Sequence, residues 1–351
     1  MVDCFYPLYP LLIRATAPLF GGNHVVSGVV LSNVFSLAGW FLFLRLTARR
    51  WGLRAALWSL GFLIAFPGSL FFQFIYTESL FFLLLMGLWW GLQNRRLALA
   101  AVCGTLAPLC RGPGAFLLLP LAGHAFETTF PSGLSAWVAR PRQGRRPSSF
   151  PHSSGPATAT AENQPSQASG GQQKAEPARG KPDRLRPGAV WLVAGTPVLG
   201  FGIYLALMWH WTGNAFEGID AQHRWGDHAI SNIWNIPKFI AAFFTPATWY
   251  DRNATVLDRL VFLLIVSTLP VLWRQDKSLA VWTVALGILP AMSGTFTALT
   301  RYASCAFPMF VALGLVINRR PRPWAGAGLL AVFGLLHAVL LWRHVHFLWA
   351  G

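Results

Sequence analysis

Charge is what this sequence has least of. Only 11% of its 351 residues are charged, and just 12 are acidic. Soluble domains carry about a quarter charged residues; this chain is 54% hydrophobic with mean hydropathy +0.46, which excludes a soluble globular protein. Cysteine is scarce too. Cys4, Cys103, Cys110 and Cys305 show no CxxC or zinc-ligand spacing, so no disulfide framework follows. The last three lie in or beside apolar runs, where cysteine behaves as a small hydrophobe. The opening residues Met1–Pro7 lack the basic and apolar regions of a secretory leader. A P-loop, a Rossmann fingerprint and a hydrolase nucleophile elbow are also missing. Without a Gly-rich phosphate cradle, the sequence argues against the use of ATP or a nucleotide sugar.

The few charges present are mostly basic, giving a net +16. In a soluble protein this would point to nucleic acid, but no domain here interleaves aromatic and basic residues. Instead the clusters Arg45–Arg54, Arg95–Arg96, Arg140–Arg186, Arg274–Lys277 and Arg319–Arg322 fall on every second loop between apolar segments. Loops rich in Lys and Arg face the cytoplasm, so the pattern predicts a multi-pass membrane protein, with membrane lipids rather than nucleic acid as partners. The long 127–187 segment supplies much of the bias. Without Arg140–Arg186 the count still favours the inner loops, 11 against 8.

A hydrocarbon core about 30 Å thick takes roughly 20 helical residues. Apolar runs predict helices near 25–45, 55–75, 78–94, 188–210, 256–273, 278–293, 302–318 and 323–346. The 97–126 stretch reads as two short helices meeting at Cys110-Arg111-Gly112-Pro113-Gly114, because Pro between glycines breaks a helix. The window 239–250 is too short to span and reads as interfacial or re-entrant. The expected fold is therefore an all-α polytopic membrane protein of about ten transmembrane helices. It divides into an N-terminal half (1–126), a disordered basic cytoplasmic linker (127–187) and a C-terminal half (188–351) with an external polar loop at 211–255. The linker's Ser, Pro, Gly and Gln offer no apolar surface to offset ordering entropy.

Polar residues on the other loops converge on the opposite face. Arg111 and Arg301 are lone guanidiniums in apolar surroundings, suited to bidentate contact with phosphate or, alternatively, to snorkelling toward headgroups. Glu78 opens an apolar helix after Tyr76-Thr77. It fits a helix-dipole role, an acceptor for sugar hydroxyls or a catalytic carboxylate. Tyr6, in an aromatic and Pro-rich opening, suits either sugar stacking or an interfacial belt. The loop from Trp211 to Arg259 gathers Asn214, Glu217, Asp220, Gln222, His223, Arg224, Trp225, Asp227 and His228. Gln222 and Trp225 are sugar-binding candidates, and a divalent metal on Asp220, His223, Asp227 and His228 is a further option. His344 and His346 would point to different helix faces, and His124 and His337 read as packing histidines.

Several blocks resemble the PIG-V family of mannosyltransferases, which includes the second mannosyltransferase of GPI-anchor synthesis and bacterial relatives. Phe5-Tyr6-Pro7-Leu8-Tyr9-Pro10 is similar to its FFPLYP block, and Tyr76-Thr77-Glu78-Ser79-Leu80-Phe81 to YTESLF. Leu109–Gly114 resembles the TRxxG turn, with Cys110 where Thr is usual. Asp220–Gly226 resembles AQxxWG, and Arg301-Tyr302 with Phe307-Pro308 resembles RYxxxxFP. The blocks run in order across nearly the whole chain outside the linker.

The resemblance implies a GT-C type glycosyltransferase of the bacterial plasma membrane. It would take mannose from a polyprenyl-phosphate donor and transfer it with inversion to a lipid or glycan acceptor on the extracytoplasmic face. Arg111 and Arg301 would hold the donor phosphate. Tyr6, Tyr76, Glu78, Gln222, Trp225 and Tyr302 would serve sugar or acceptor. The family's acidic Trp-Asp block lies upstream of its FFPLYP segment, so the general base and a first helix are expected upstream of Met1, leaving Glu78 as the substitute carboxylate. Two other classes fit: a transporter or flippase for lipid-linked glycans, and a catalytically incomplete membrane partner.

Overall fold

The computed structural model describes residues 6–130, 187–224, 229–245, 250–251, 254–319 and 323–348. The described residues are helical apart from turns and one two-residue antiparallel pairing, Tyr250 with Thr255 and Asp251 with Ala254. The expected linker falls mostly outside them, although its first residues continue the Leu118–Thr129 helix and its last, Pro187, begins the next.

The 28-residue helix His24–Trp51 shows how the chain sorts its side chains. Asn23 caps it by accepting the Val25 and Val26 N–H groups at 3.0 and 3.1 Å. Its buried stripe is Ser27, Gly28, Ser32, Ser36, Gly39, Phe43, Leu46 and Thr47, whereas Val25, Val26, Val29, Val34, Leu37 and Phe41 are exposed. Small and polar inside, apolar outside, is the reverse of a soluble helix and matches packing within lipid. The serine hydroxyls on this stripe have partners: Ser32 donates to the Phe74 carbonyl at 2.6 Å and Ser36 to that of Phe72 at 2.7 Å, whereas the buried Thr47 hydroxyl has none among the described residues.

Among the described residues, four helical stretches are long and apolar enough to cross a membrane: His24–Trp51, Pro187–Thr212, Val256–Gln275 and Pro323–Val345. This is the architecture of a helical membrane protein. The other expected spans are shorter. Glu78–Gln93 and Leu97–Cys110 reach about 24 and 21 Å at 1.5 Å per residue, under the hydrocarbon thickness.

Proline accounts for much of the shortening. The expected 55–75 helix stops at Ala65, because Phe66 precedes Pro67 and adopts extended geometry (φ −58°, ψ 137°). The chain continues as a 3-10 turn, Pro67–Phe72. The expected 302–318 helix is split into Leu299–Ala303 and Phe307–Arg319, so Arg301 and Tyr302 sit in a separate five-residue turn rather than at the head of the longer helix. Upstream, Val284–Ile288 is a π-turn, and Thr295, Phe296 and Ala298 all have positive φ (48°, 72° and 51°). Backbone strain of this kind persists only where surrounding contacts impose it. The turn expected at Arg111 is present. Arg111 is extended between Leu97–Cys110 and the 3-10 turn Gly112–Leu117. The window 239–250, expected to be interfacial or re-entrant, lies partly outside the described residues; its first residues belong to the nine-residue helix Ile236–Phe244, whose Phe239 stacks on Phe296 at 4.3 Å.

Aromatic rings fill the core. Phe43, Phe66, Phe72, Phe82, Phe307 and Phe310 are completely buried and meet mainly edge to face, the arrangement their quadrupoles favour. At one end of the bundle Arg50 pairs with Asp276 at 2.6 Å, bringing two of the basic clusters together.

Candidate functional site

Three residues from distant parts of the chain meet at one carboxylate. Glu78, at the start of its helix and wholly buried, pairs through Oε1 with both Nη1 of Arg111 and Nε of Arg301. Its other oxygen, Oε2, is buried without a hydrogen-bond partner among the described residues. Two guanidiniums on one carboxylate leave a formal charge of +1 in a low-dielectric setting, where an uncompensated ion is costly. The cluster is therefore suited to an anion.

Aromatic faces fix both guanidiniums. Arg111 lies over the Tyr302 ring at 4.3 Å, and Arg301 over Tyr76 at 4.3 Å and Phe71 at 4.8 Å. Arg111 also approaches the Thr77 hydroxyl at 3.4 Å. Cys110 and Cys305 flank the start of the Glu78 helix, their thiols directed at the Thr77 and Glu78 carbonyls at 3.5 and 3.8 Å.

Above the cluster opens a cavity of about 510 Å³ walled by Tyr6, Tyr9, Tyr76, Tyr302 and the two arginines, with His24 and Thr77 also lining it. Tyr9 is held by donating to the Gly28 carbonyl at 2.9 Å, and Tyr6 by stacking on Tyr204 with centroids 5.0 Å apart. Gly112 permits Tyr6 to come this close: a Cβ there would lie 2.5 Å from the tyrosine hydroxyl. Tyr6, Arg111 and Tyr302 also line a second, smaller cavity of about 100 Å³, whose far wall includes Phe116, Phe201, Ile219 and Pro290.

The turn bearing Arg301 is fixed from below by Asp258, a fully buried carboxylate on the Val256–Gln275 helix. Its Oδ1 accepts the N–H and hydroxyl of Thr300, each at 2.7 Å, and its Oδ2 accepts the same two groups of Thr255 at 2.9 and 2.8 Å. From the other side, Gly68 lets the chain pass against this turn, since a Cβ there would overlap the Thr300 carbonyl oxygen.

Of the expected site residues, the structure gathers Tyr6, Tyr76, Arg111, Arg301 and Tyr302 around one cavity. Glu78 belongs to the cluster but not to the cavity wall, so its carboxylate holds the arginines instead of reaching a ligand directly. Gln222 lies on the short helix Glu217–Arg224, whose Ile219 lines the smaller cavity. Trp225 lies outside the described residues. The polar loop is partly self-satisfied, because the Asn214 amide donates to Glu217 at 3.3 Å and to Asp220 at 2.9 Å. The metal option on Asp220, His223, Asp227 and His228 lies partly outside the described residues, among which no three His, Cys, Asp or Glu side chains cluster.

Asp258, Thr300 and His24 carried no expectation from the sequence, and His344 was expected only to face away from His346. Asp258 had a legible signal, the capping box Thr255-Val256-Leu257-Asp258. His344 arrives from the far end of the chain to pack on Phe74 and Tyr76, with ring centroids 4.6 and 5.9 Å away. His346 lies against Trp342 instead, and His337 meets the Phe66 carbonyl at 3.1 Å.

Comparison with known proteins adds no neighbour: no family model, curated protein or solved structure matches this chain.

Proposed function

We propose that this protein is a membrane glycosyltransferase of GT-C type that transfers a hexose, mannose in our reading, from a polyprenyl-phosphate donor to a lipid or glycan acceptor at the extracytoplasmic face. One observation carries the reading: Arg111 and Arg301 converge on Glu78 and wall one tyrosine-lined cavity. In such a transfer the bond between the sugar C1 and the phosphate oxygen breaks, and charge develops on the leaving phosphate. Guanidiniums already fixed by Glu78 and by tyrosine faces stabilise that charge without reorganising. The acceptor hydroxyl attacks C1 from the opposite side, which inverts the anomeric centre, and its proton passes through water to the released phosphate. Tyrosine rings supply apolar faces for the sugar and hydroxyls for its polar edge.

The test is transfer of radiolabelled mannose from polyprenyl-phosphate mannose in membranes containing the protein. Product is expected with the native chain and is expected to fall at least about a hundredfold with Arg301→Ala, the scale of losing a transition-state charge contact. Equal turnover by the two would refute the reading.

A second reading, a transporter for lipid-linked glycans, draws on one observation. Helices break at Arg111 in the first half and around Arg301 in the second, and paired interruptions mark transporter binding sites. Movement of lipid-linked sugar across a liposome bilayer without glycosidic product would favour it.

A further inference from the structure

At the other end of the Val256–Gln275 helix, about 24 Å along its axis from Asp258, lies a groove unrelated to the tyrosine-walled cavity. Its volume is about 310 Å³, and it is lined by Pro270, Val271 and Val316 with Arg274 and Arg319. Two packed helices each contribute one arginine from the last turn. Both guanidiniums are exposed, and neither has an ion pair or hydrogen bond among the described residues. Among the described residues no carboxylate lines the groove. Its apolar wall continues onto the exposed Val266, Trp273 and Val316, which face outward from the same two helices.

We propose that this groove binds an anionic glycerophospholipid, its phosphodiester headgroup between Arg274 and Arg319 and its acyl chains along Val316 and Trp273. Charge complementarity selects an anion, and the apolar wall selects one carrying hydrocarbon over free phosphate. Basic pockets between helices at a membrane surface recognise acidic headgroups in this way. The site makes no use of the residues assigned to sugar transfer, so the lipid test stands apart from the transfer reading.

The experiment is native mass spectrometry of the intact chain in detergent with phosphatidylglycerol and phosphatidylcholine of identical acyl chains. The native protein is expected to retain phosphatidylglycerol preferentially. Arg274→Gln with Arg319→Gln is expected to weaken that retention by about twentyfold, the loss of two basic contacts. The charge-matched control Arg49→Gln with Arg54→Gln, also at exposed basic positions, is expected to change it little. Equal retention of the two lipids by the native protein overturns the proposal, as does an equal loss in both variants, which would mean diffuse attraction. Should the arginines serve only their own helix C-termini, the variant melts lower with its lipid preference intact, and the proposal falls. Displacement of the lipid by inorganic phosphate would likewise overturn the assignment to a lipid.

Discussion

Arg111 and Arg301 close on the same oxygen of Glu78, although they come from opposite halves of the chain. The Arg111 guanidinium would not be stable so deep in apolar surroundings alone, and a single carboxylate compensates only part of the charge of the two arginines. Glu78→Gln removes that compensation while keeping the side-chain shape. It is expected to destabilise the protein by about 3–5 kcal/mol, read as a lower melting temperature in detergent. Adding Arg111→Gln is expected to recover part of the loss, because the double variant no longer holds two unopposed cations. Strict additivity would mean that the three residues do not act as a unit.

Asp258 acts on the site through Thr300. Replacing it with Ala strands the buried N–H and hydroxyl that now donate to it. Each stranded group costs about 1–3 kcal/mol, and the turn carrying Arg301 loses its anchor. The proposed mannose transfer is expected to drop with Asp258→Ala, whereas Thr300→Ser, which keeps both donors, is expected to stay near native. Native-like transfer by Asp258→Ala would remove the positioning role.

Two glycines give opposite expectations. Gly68→Ala drives a methyl group into the Thr300 carbonyl and is expected to lower the melting temperature and disturb the Arg301 turn. Gly123 has open space around it within the Leu118–Thr129 helix, so Gly123→Ala is expected to be neutral or stabilising by up to about 1 kcal/mol.

Orientation is testable by labelling. In a chain with Cys4→Ser, the remaining Cys103, Cys110 and Cys305 are buried and are expected to resist a membrane-impermeant maleimide. A cysteine introduced by Ser166→Cys in the basic linker is expected to label only from the cytoplasm. One introduced at the exposed Leu19, which lies beside the cavity-lining segment, is expected to label only from outside. Labelling of both from one side would contradict the topology.

The sequence by itself determined the class of molecule. Long apolar runs cannot be solvated, so they must be helices with their backbone polar groups satisfied internally, and the Gly-Pro-Gly run after Arg111 had to interrupt one of them. It also singled out Arg111, Arg301, Glu78, Tyr6, Tyr76 and Tyr302, because isolated polar residues in apolar context stand out. What only the tertiary structure decided is how they are used. Glu78 read equally well as a dipole partner, a sugar acceptor or a catalytic group; which one depends on whether cations from elsewhere in the chain come within reach, and two do. Asp258 drew no expectation from the sequence, since its contact with Thr300 spans 42 positions and leaves no local periodicity to read. Helix lengths were likewise settled in three dimensions, where strained turns near Arg301 survive only because packed neighbours hold them.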